Sequence, residues 1–75
     1  MKNATILDLT GLECPLPLLK TKVALNSLES GDILEVTTSD PTSWDDFTVF
    51  TKISGNLLVE ANKLEDKYLF KIKKS

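Results

Sequence analysis

The residue in this sequence best suited to chemistry is Cys14, the only cysteine, which lies in the stretch GLECPLPLLK from Gly11 to Lys20. A single thiol cannot form an intrachain disulfide, and the chain has no histidine to complete a nitrogen and sulfur ligand set for zinc. These residue types therefore exclude a structural zinc site and leave the chemistry of one sulfur atom. We expect no cofactor.

Two prolines restrict the backbone around this thiol. Pro15 and Pro17 each lack an N–H and disfavour the α conformation in the preceding residue. Two placements remain open: Cys14 caps a helix whose first residue is Pro15, or the helix starts at Pro17 and the sulfur lies further out. In both, the free N–H groups of a helix start favour a nearby thiolate, which Glu13 opposes by like-charge repulsion.

The alternative is an unreactive cysteine, because a free cysteine is often a small buried hydrophobe and proline is common at helix starts. The combination of Cys14 with two prolines, shortly after Gly11 and at the junction of a strand with a helix, favours an exposed and reactive thiol.

The first half of the chain predicts a strand, a helix and a second strand. Residues 4–10 are short, β-branched and followed by Gly11, and residues 33–38 follow a Gly-Asp turn, with Leu34 and Val36 on one face. A helix is predicted over 17–28, because apolar residues recur there at helical spacing. These apolar residues are Leu19, Val23 and Leu28, with Leu16, Ala24 and Leu25 nearby.

The second half predicts a helix and a hairpin. Asp40 can cap the helix, Pro41 suits its first position and Gly55 suits its end. One buried face is predicted at spacings of three, by Trp44, Phe47, Phe50 and Ile53. The hairpin has one arm at 57–61, a turn within 62–67, and a second arm in which Tyr68, Phe70 and Ile72 alternate with lysines and Leu69.

The order βαβαββ in 75 residues predicts a two-layer α/β sandwich: a four-stranded mixed sheet with both helices on one face. A composition of 41% hydrophobic and 27% charged residues is typical of a globular chain. We expect a single domain spanning residues 1–75.

The charges argue against nucleic acid as a direct ligand, because the net charge is −2 and all nine basic residues are lysines. A late group of lysines is interpreted as a solvated strand edge: Lys67, Lys71, Lys73 and Lys74. Lys20 and Lys22 either solvate the first helix or help to dock a partner. We expect a monomer.

The first residues contain no apolar run of signal-peptide length before Asp8, and no stretch approaches the length of a membrane span. The expected location is therefore the reducing cytoplasm, with no membrane association.

Several short motifs together resemble the TusA family of sulfur carriers, also called the SirA-like family. They are Leu7-Asp8, Gly11-Leu12-Glu13-Cys14-Pro15-Leu16-Pro17, Leu18-Leu19-Lys20-Thr21-Lys22, Gly31-Asp32 with Leu34 and Val36, and Ser39-Asp40-Pro41. Pro15 and Pro17 match the prolines of the family's Cys-Pro-x-Pro motif, and Asp40 with Pro41 matches its start of the second helix.

The resemblance implies a βαβαββ sandwich whose cysteine, here Cys14, carries sulfane sulfur as a persulfide. Gly11, Glu13, Pro15, Leu16 and Pro17 would position that thiol. The implied partners are a cysteine desulfurase or rhodanese-like donor and a downstream acceptor protein with its own cysteine. Such a chain is a persulfide carrier of the sulfurtransferase type rather than an independent turnover enzyme.

Two departures from the family pattern limit which of the family's properties can be expected of this chain. Many members have Gly-His after the second helix, where this chain has Gly55-Asn56, and some have a second cysteine in that helix, which this chain lacks. Without a second thiol, an internal disulfide cannot discharge the sulfur.

The leading functional hypothesis is relay of sulfur on Cys14 toward tRNA thiolation, cofactor assembly or sulfur oxidation. The alternatives are a selenium-handling relative and a regulatory or interaction module of the same fold that transfers nothing. A dithiol oxidoreductase conflicts with the single cysteine.

Overall fold

A computed structural model describes residues 4–75 of the chain and shows the predicted order βαβαββ. Residues 1–3, part of the N-terminal stretch considered above, lie outside the described residues. The elements are β1 (Ala4–Leu9), α1 (Leu16–Asn26), β2 (Ile33–Thr38), α2 (Ser43–Ser54), β3 (Leu57–Lys63) and β4 (Tyr68–Lys73). The third strand is two residues longer than predicted, and the hairpin closes where the N–H of Leu64 donates to the carbonyl oxygen of Lys67 at 2.8 Å.

The four strands form one mixed sheet in the order β1-β2-β4-β3. β1 runs parallel to β2, whereas β2 pairs with β4 and β4 with β3 in antiparallel fashion. Because β1 and β2 are parallel, their carboxyl ends and the loops that follow them lie at the same edge of the sheet. Cys14 lies in one of those loops and Asp40 in the other.

The core lies between the sheet and the two helices, which confirms the two-layer architecture. Its buried apolar side chains are Leu9, Leu25, Leu34, Val36, Phe47, Phe70 and Ile72. The predicted inward face of the second strand is confirmed, since Leu34 and Val36 are fully buried. Phe47 of α2 stacks on Phe70 of β4 with ring centroids 4.6 Å apart, which ties the second helix to the centre of the sheet.

The predicted buried face of α1 is partly wrong, because the helix is rotated about its axis relative to the prediction. The residues that the helix buries are Pro17, Thr21 and Leu25. Of the predicted apolar residues, Leu25, Ala24 and Leu28 do pack in or against the core, while Leu16, Leu19 and Val23 are exposed. Thr21 is tolerated in the core because its hydroxyl donates to the carbonyl oxygen of Pro17 at 2.8 Å.

The start and the end of α2 also correct the prediction. The helix begins at Ser43, with Thr42 at the N-cap position, so Pro41 precedes it. Phe47 is buried and Trp44 and Phe50 pack partly against the core, as predicted, but Ile53 is 81% exposed. Gly55 ends the helix with φ of 79°, the left-handed conformation expected of it.

The late lysines do not protect a sheet edge, because β4 lies between β2 and β3. Lys71 extends from this inner strand, and its Nζ lies 3.5 Å from a carboxylate oxygen of Glu35 and 3.6 Å from one of Glu60. The lysine therefore joins three neighbouring strands on the sheet, away from the helices.

Candidate functional site

The loop that carries the thiol begins with a tight turn after β1. The side chain of Asp8 accepts hydrogen bonds from the backbone N–H of Thr10 at 3.1 Å and from its hydroxyl at 2.8 Å. These bonds, of which the backbone one contributes more, hold the pKa of Asp8 below its usual value. Gly11 follows with φ of 85°, a conformation that favours glycine and sends the chain toward α1.

Cys14 itself is exposed, as the sequence predicts for a reactive thiol. The peptide bond to Pro15 is cis, and Pro15 occupies the N-cap position of α1. Neither of the two placements considered from the sequence is adopted, because the helix starts at Leu16, between them. The N–H of Leu16 donates to the carbonyl oxygen of Glu13 at 2.9 Å, so this helix-start donor is already occupied.

Asp40 holds the backbone of Cys14 in place from the neighbouring loop. Its Oδ2 accepts the N–H of Cys14 at 2.6 Å, and its Oδ1 accepts the N–H of Thr42 at 3.1 Å. The pKa of Asp40 is lowered from its usual 3.8, first by the bond from Thr42 and then by that from Cys14, against an opposing effect of burial. The sequence predicts Asp40 as a helix cap; the structure shows that it orders two loops.

Further contacts join the two loops. Ser39 Oγ accepts the N–H of Gly11 at 2.8 Å. Ser43, at the start of α2, donates from both its backbone N–H and its hydroxyl to the carbonyl oxygen of Asp40, at 3.0 and 2.6 Å. The Cys14 loop is therefore supported by a loop that is itself anchored to a helix.

A second carboxylate reaches the sulfur directly. Sγ of Cys14 lies 3.5 Å from Oδ2 of Asp46, in the first turn of α2, within the range of a thiol hydrogen bond. As an acidic residue in the first turn of α2, Asp46 also places a favourable negative charge at the helix start. No pattern in the sequence indicates this contact, because it depends on the packing of α2 beside the Cys14 loop.

The surroundings of the thiol are acidic. Glu13 is its neighbour in the chain, Asp40 binds its amide and Asp46 contacts its sulfur.

The two lysines considered for docking lie on α1: Lys20 borders an apolar groove with Leu16 and Leu19, and Lys22 places its Nζ 5.7 Å from the centre of the Phe50 ring.

The remaining site residues predicted from the sequence surround the thiol or support it. Glu13 and Gly11 line an open cleft beside Cys14, together with Leu12, Ser39, Asp40, Pro41 and Thr42. Both Pro17 and Leu16 belong to the first turn of α1, where Pro17 is buried and Leu16 is exposed. Asn56 follows the far end of α2 and bonds to Ser54 and to the N–H of Ser75.

Within residues 4–75, no group of three or more potential metal ligands comes together. The site has one accessible sulfur atom, that of Cys14, and hydrogen bonds from the neighbouring loop hold its backbone beside an open cleft. This arrangement suits exchange of a sulfur atom with another molecule, a reaction that requires an accessible thiol and no deep pocket.

Comparison with known proteins agrees with this chemistry. The family model described as Sulfurtransferase TusA matches residues 5–74. The sulfur carrier protein TusA of Allochromatium vinosum is 48% identical over 69 residues, which cover 92% of this chain and 91% of that protein. YrkI of Bacillus subtilis, named "putative sulfur carrier protein", is 43% identical over 74 residues and 99% of each chain.

A longer relative from Aquifex aeolicus, also named "putative sulfur carrier protein", is 37% identical over 75 residues, which cover all of this chain and 38% of that protein. The same sequence pattern is thus found within a chain more than twice as long.

None of the helices in residues 4–75 has the length and apolar character needed to cross a membrane. The family match over almost the whole chain, the two-layer fold and the exposed cysteine agree with one another. This chain belongs to the TusA family of sulfur carriers.

Proposed function

We propose that Cys14 carries sulfane sulfur as a persulfide between a donor and an acceptor protein. The observation that supports this most directly is the position of the thiol, exposed at the start of α1 with its own N–H held by Asp40. A sulfur presented on a fixed backbone is accessible to a cysteine on the surface of another protein. The unit that acts is a single carrier domain.

The loading step is an exchange between a thiol and a persulfide. The sulfur of Cys14, as the thiolate, attacks the outer sulfur of a donor persulfide R–S–SH, and a new S–S bond forms as the donor's S–S bond breaks. The inner sulfur of the donor leaves with the electron pair of the broken S–S bond and takes up the proton that Cys14 lost. The products are a Cys14 persulfide and a donor thiol, so no external oxidant or reductant is required.

Unloading repeats the same chemistry with the carrier as the donor. A thiolate on the acceptor attacks the outer sulfur, and Cys14 leaves as the thiolate. Since the chain has no other cysteine, the carrier cannot discharge itself by forming an internal disulfide. The persulfide therefore persists until an acceptor, or a small thiol, removes it.

The proposed partners are a cysteine desulfurase or rhodanese-like protein as donor and a cysteine-containing protein as acceptor, in the cytoplasm. Support comes from the family membership and from the site, which holds an exposed thiol.

Intact mass spectrometry tests the proposal. The protein is incubated with a cysteine desulfurase and cysteine, or with a rhodanese and thiosulfate. We expect a mass gain of one sulfur atom that reductant reverses and that the Cys14→Ser variant lacks. If neither donor enzyme adds sulfur to the wild-type chain, the relay is wrong and a non-transferring interaction module becomes the better explanation.

A further inference from the structure

The contact between Cys14 and Asp46 joins two parts of the fold that are each held in place. Sγ of Cys14 lies 3.5 Å from Oδ2 of Asp46, and the N–H of Cys14 is bound by Asp40 at 2.6 Å. Asp46 precedes Phe47, which is fully buried and stacks on Phe70 with ring centroids 4.6 Å apart. Since the backbone is anchored on both sides of the contact, we expect the carboxylate to remain beside Sγ when a second sulfur atom is bound there.

The empty and the loaded carrier differ in charge at this contact. An ordinary thiol is protonated at neutral pH and an aspartate is ionised, so the S–H of the empty carrier can donate to the carboxylate of Asp46. A persulfide is a stronger acid than the thiol from which it derives. The loaded carrier therefore has a negative outer sulfur, and its inner sulfur has no proton to donate. Asp46 receives a hydrogen bond in the empty form and faces a like charge in the loaded form.

We propose that Asp46 promotes discharge of the carrier, by shifting the equilibrium of persulfide sulfur between Cys14 and an acceptor thiol toward the acceptor. The carboxylate raises the free energy of the loaded carrier relative to the empty one, so the sulfur is held less firmly than on a cysteine without this neighbour. The inference rests on the proposed function and specifies which residue sets the direction of transfer.

The transfer that Asp46 biases is balanced without a further reagent. The sulfur of the acceptor thiol loses its proton and bonds to the outer sulfur on Cys14, and the S–S bond of the carrier breaks. Sγ leaves with the electron pair of that bond and takes up the proton, while the negative charge of the outer sulfur moves with it to the acceptor. The products are a Cys14 thiol, which can donate to Asp46, and an acceptor persulfide that no longer faces this carboxylate.

The other charged groups near the thiol are placed less directly. Glu13 and Asp45 are exposed, and both oxygens of Asp40 already accept backbone N–H groups. Lys22 lines the same groove between the helices as Asp46, with its Nζ 5.7 Å from the centre of the Phe50 ring. Asp46 is only half-exposed and contacts Sγ itself, so solvent and salt screen its charge less than that of an exposed carboxylate.

A competition between two carriers for the same sulfur tests the proposal. Isotope-labelled wild type is loaded with inorganic polysulfide, freed of excess reagent and mixed with an equal amount of unlabelled, empty Asp46→Asn chain, with glutathione present to shuttle sulfur between them. Intact mass spectrometry then gives the ratio of loaded to empty chains for each protein at equilibrium. We expect this ratio to be about fivefold higher for Asp46→Asn at low salt, on the scale of two unit charges about 4 Å apart in water. The difference should shrink at high salt.

Two variants and a stability measurement separate this effect from general acidity and from folding. Asp45→Asn removes the same charge from the adjacent, exposed position and should share sulfur with wild type to within about twofold. Asp46→Glu keeps the charge and should stay closer to wild type than Asp46→Asn does. Thermal unfolding of each variant is recorded as well, because a merely structural role of Asp46 at the start of α2 would lower the melting temperature without moving the sulfur between folded carriers.

The role of Asp46 is overturned if wild type and Asp46→Asn share the sulfur equally, if wild type retains more of it, or if Asp45→Asn shifts the sulfur as far. Because polysulfide loads the carrier in this competition, the result does not depend on an enzyme donor. Failure of every enzyme to load the wild-type chain contradicts the relay itself, and a shifted competition would then still show that Asp46 weakens the hold on sulfur.

Discussion

The backbone N–H of Cys14 lies 2.6 Å from Oδ2 of Asp40, a residue 26 positions further along the chain. The residue that positions the thiol therefore comes from the loop after β2 and not from the proline-rich motif that contains the cysteine. This contact is possible because β1 and β2 are parallel, which brings the two loops to one edge of the sheet.

Replacement of Asp40 should weaken both the fold and the site. Asp40→Ala removes the acceptors of two backbone N–H groups, which we expect to lower the free energy of unfolding by about 1–2 kcal/mol and to slow loading of Cys14 by polysulfide. Urea unfolding and intact mass measure the two effects. Asp66→Ala, in the hairpin turn, is the matched control; equal effects from both variants would refute the positioning role.

Acid should release the same contact. The lowered pKa of Asp40 means that its contribution to stability is complete above the usual carboxyl value of 3.8 and disappears as the pH falls through the lower, folded-state value. We expect the amide proton resonance of Cys14 to move with a midpoint below 3.8 in an NMR titration. A midpoint above that value, or no movement, would show that the carboxylate does not bind this amide.

Removal of the charge on Asp46 should make the thiol more reactive. Asp46→Asn takes away a negative charge 3.5 Å from the sulfur, which disfavours a second negative charge on Cys14. We expect alkylation of Cys14 by iodoacetamide at neutral pH to become several-fold faster, on the order of the 1 kcal/mol that such a pair costs in water.

Asp45→Asn removes the same charge from the adjacent position and is the control for the Asp46 variant. It should change the alkylation rate less than Asp46→Asn, because only Asp46 is within hydrogen-bond distance of the sulfur. If both variants accelerate alkylation equally, the effect belongs to the general acidity of the surface.

Truncation of two neighbouring residues checks the rotation of α1. Leu25→Ala removes a side chain that is 2% exposed in the core, and we expect it to lower the free energy of unfolding by about 2–5 kcal/mol. Val23→Ala alters an exposed side chain and should change it by less than about 0.5 kcal/mol. Urea titrations of both variants decide the matter, and a larger loss from Val23→Ala would restore the buried face inferred from the sequence.

Much of this protein follows from the sequence alone. Alternation placed Leu34 and Val36 inward, because successive side chains on a strand point to opposite faces of a sheet. Gly55 marked the end of α2, because a left-handed residue at a helix end is most often glycine. The uniqueness of Cys14 and its position before a helix pointed to its sulfur as the candidate reactive atom, and the exposure of this residue agrees with that prediction.

The periodicity of apolar residues could not predict which face of each helix is buried. Apolar residues surround most of α1, so several faces satisfy a helical pattern, and only packing on the sheet selects the one with Pro17, Thr21 and Leu25. In α2 the same ambiguity led to the prediction that Ile53 is buried, whereas the structure buries Thr51 instead. The hydroxyl of Thr51 donates a hydrogen bond to the carbonyl oxygen of Phe47.

The carboxylates that contact Cys14 were likewise decided by tertiary structure. Asp40 and Asp46 lie far from Cys14 in sequence and reach it only because a parallel strand pair and the helix after it bring them to the same edge. The sequence by itself determined the order of the elements and pointed to the sulfur of Cys14 as the candidate reactive atom, since both depend on residue type and local pattern. Tertiary packing alone decided which side chains surround that atom and which helix faces remain open to a partner, because those contacts join residues that no local pattern relates.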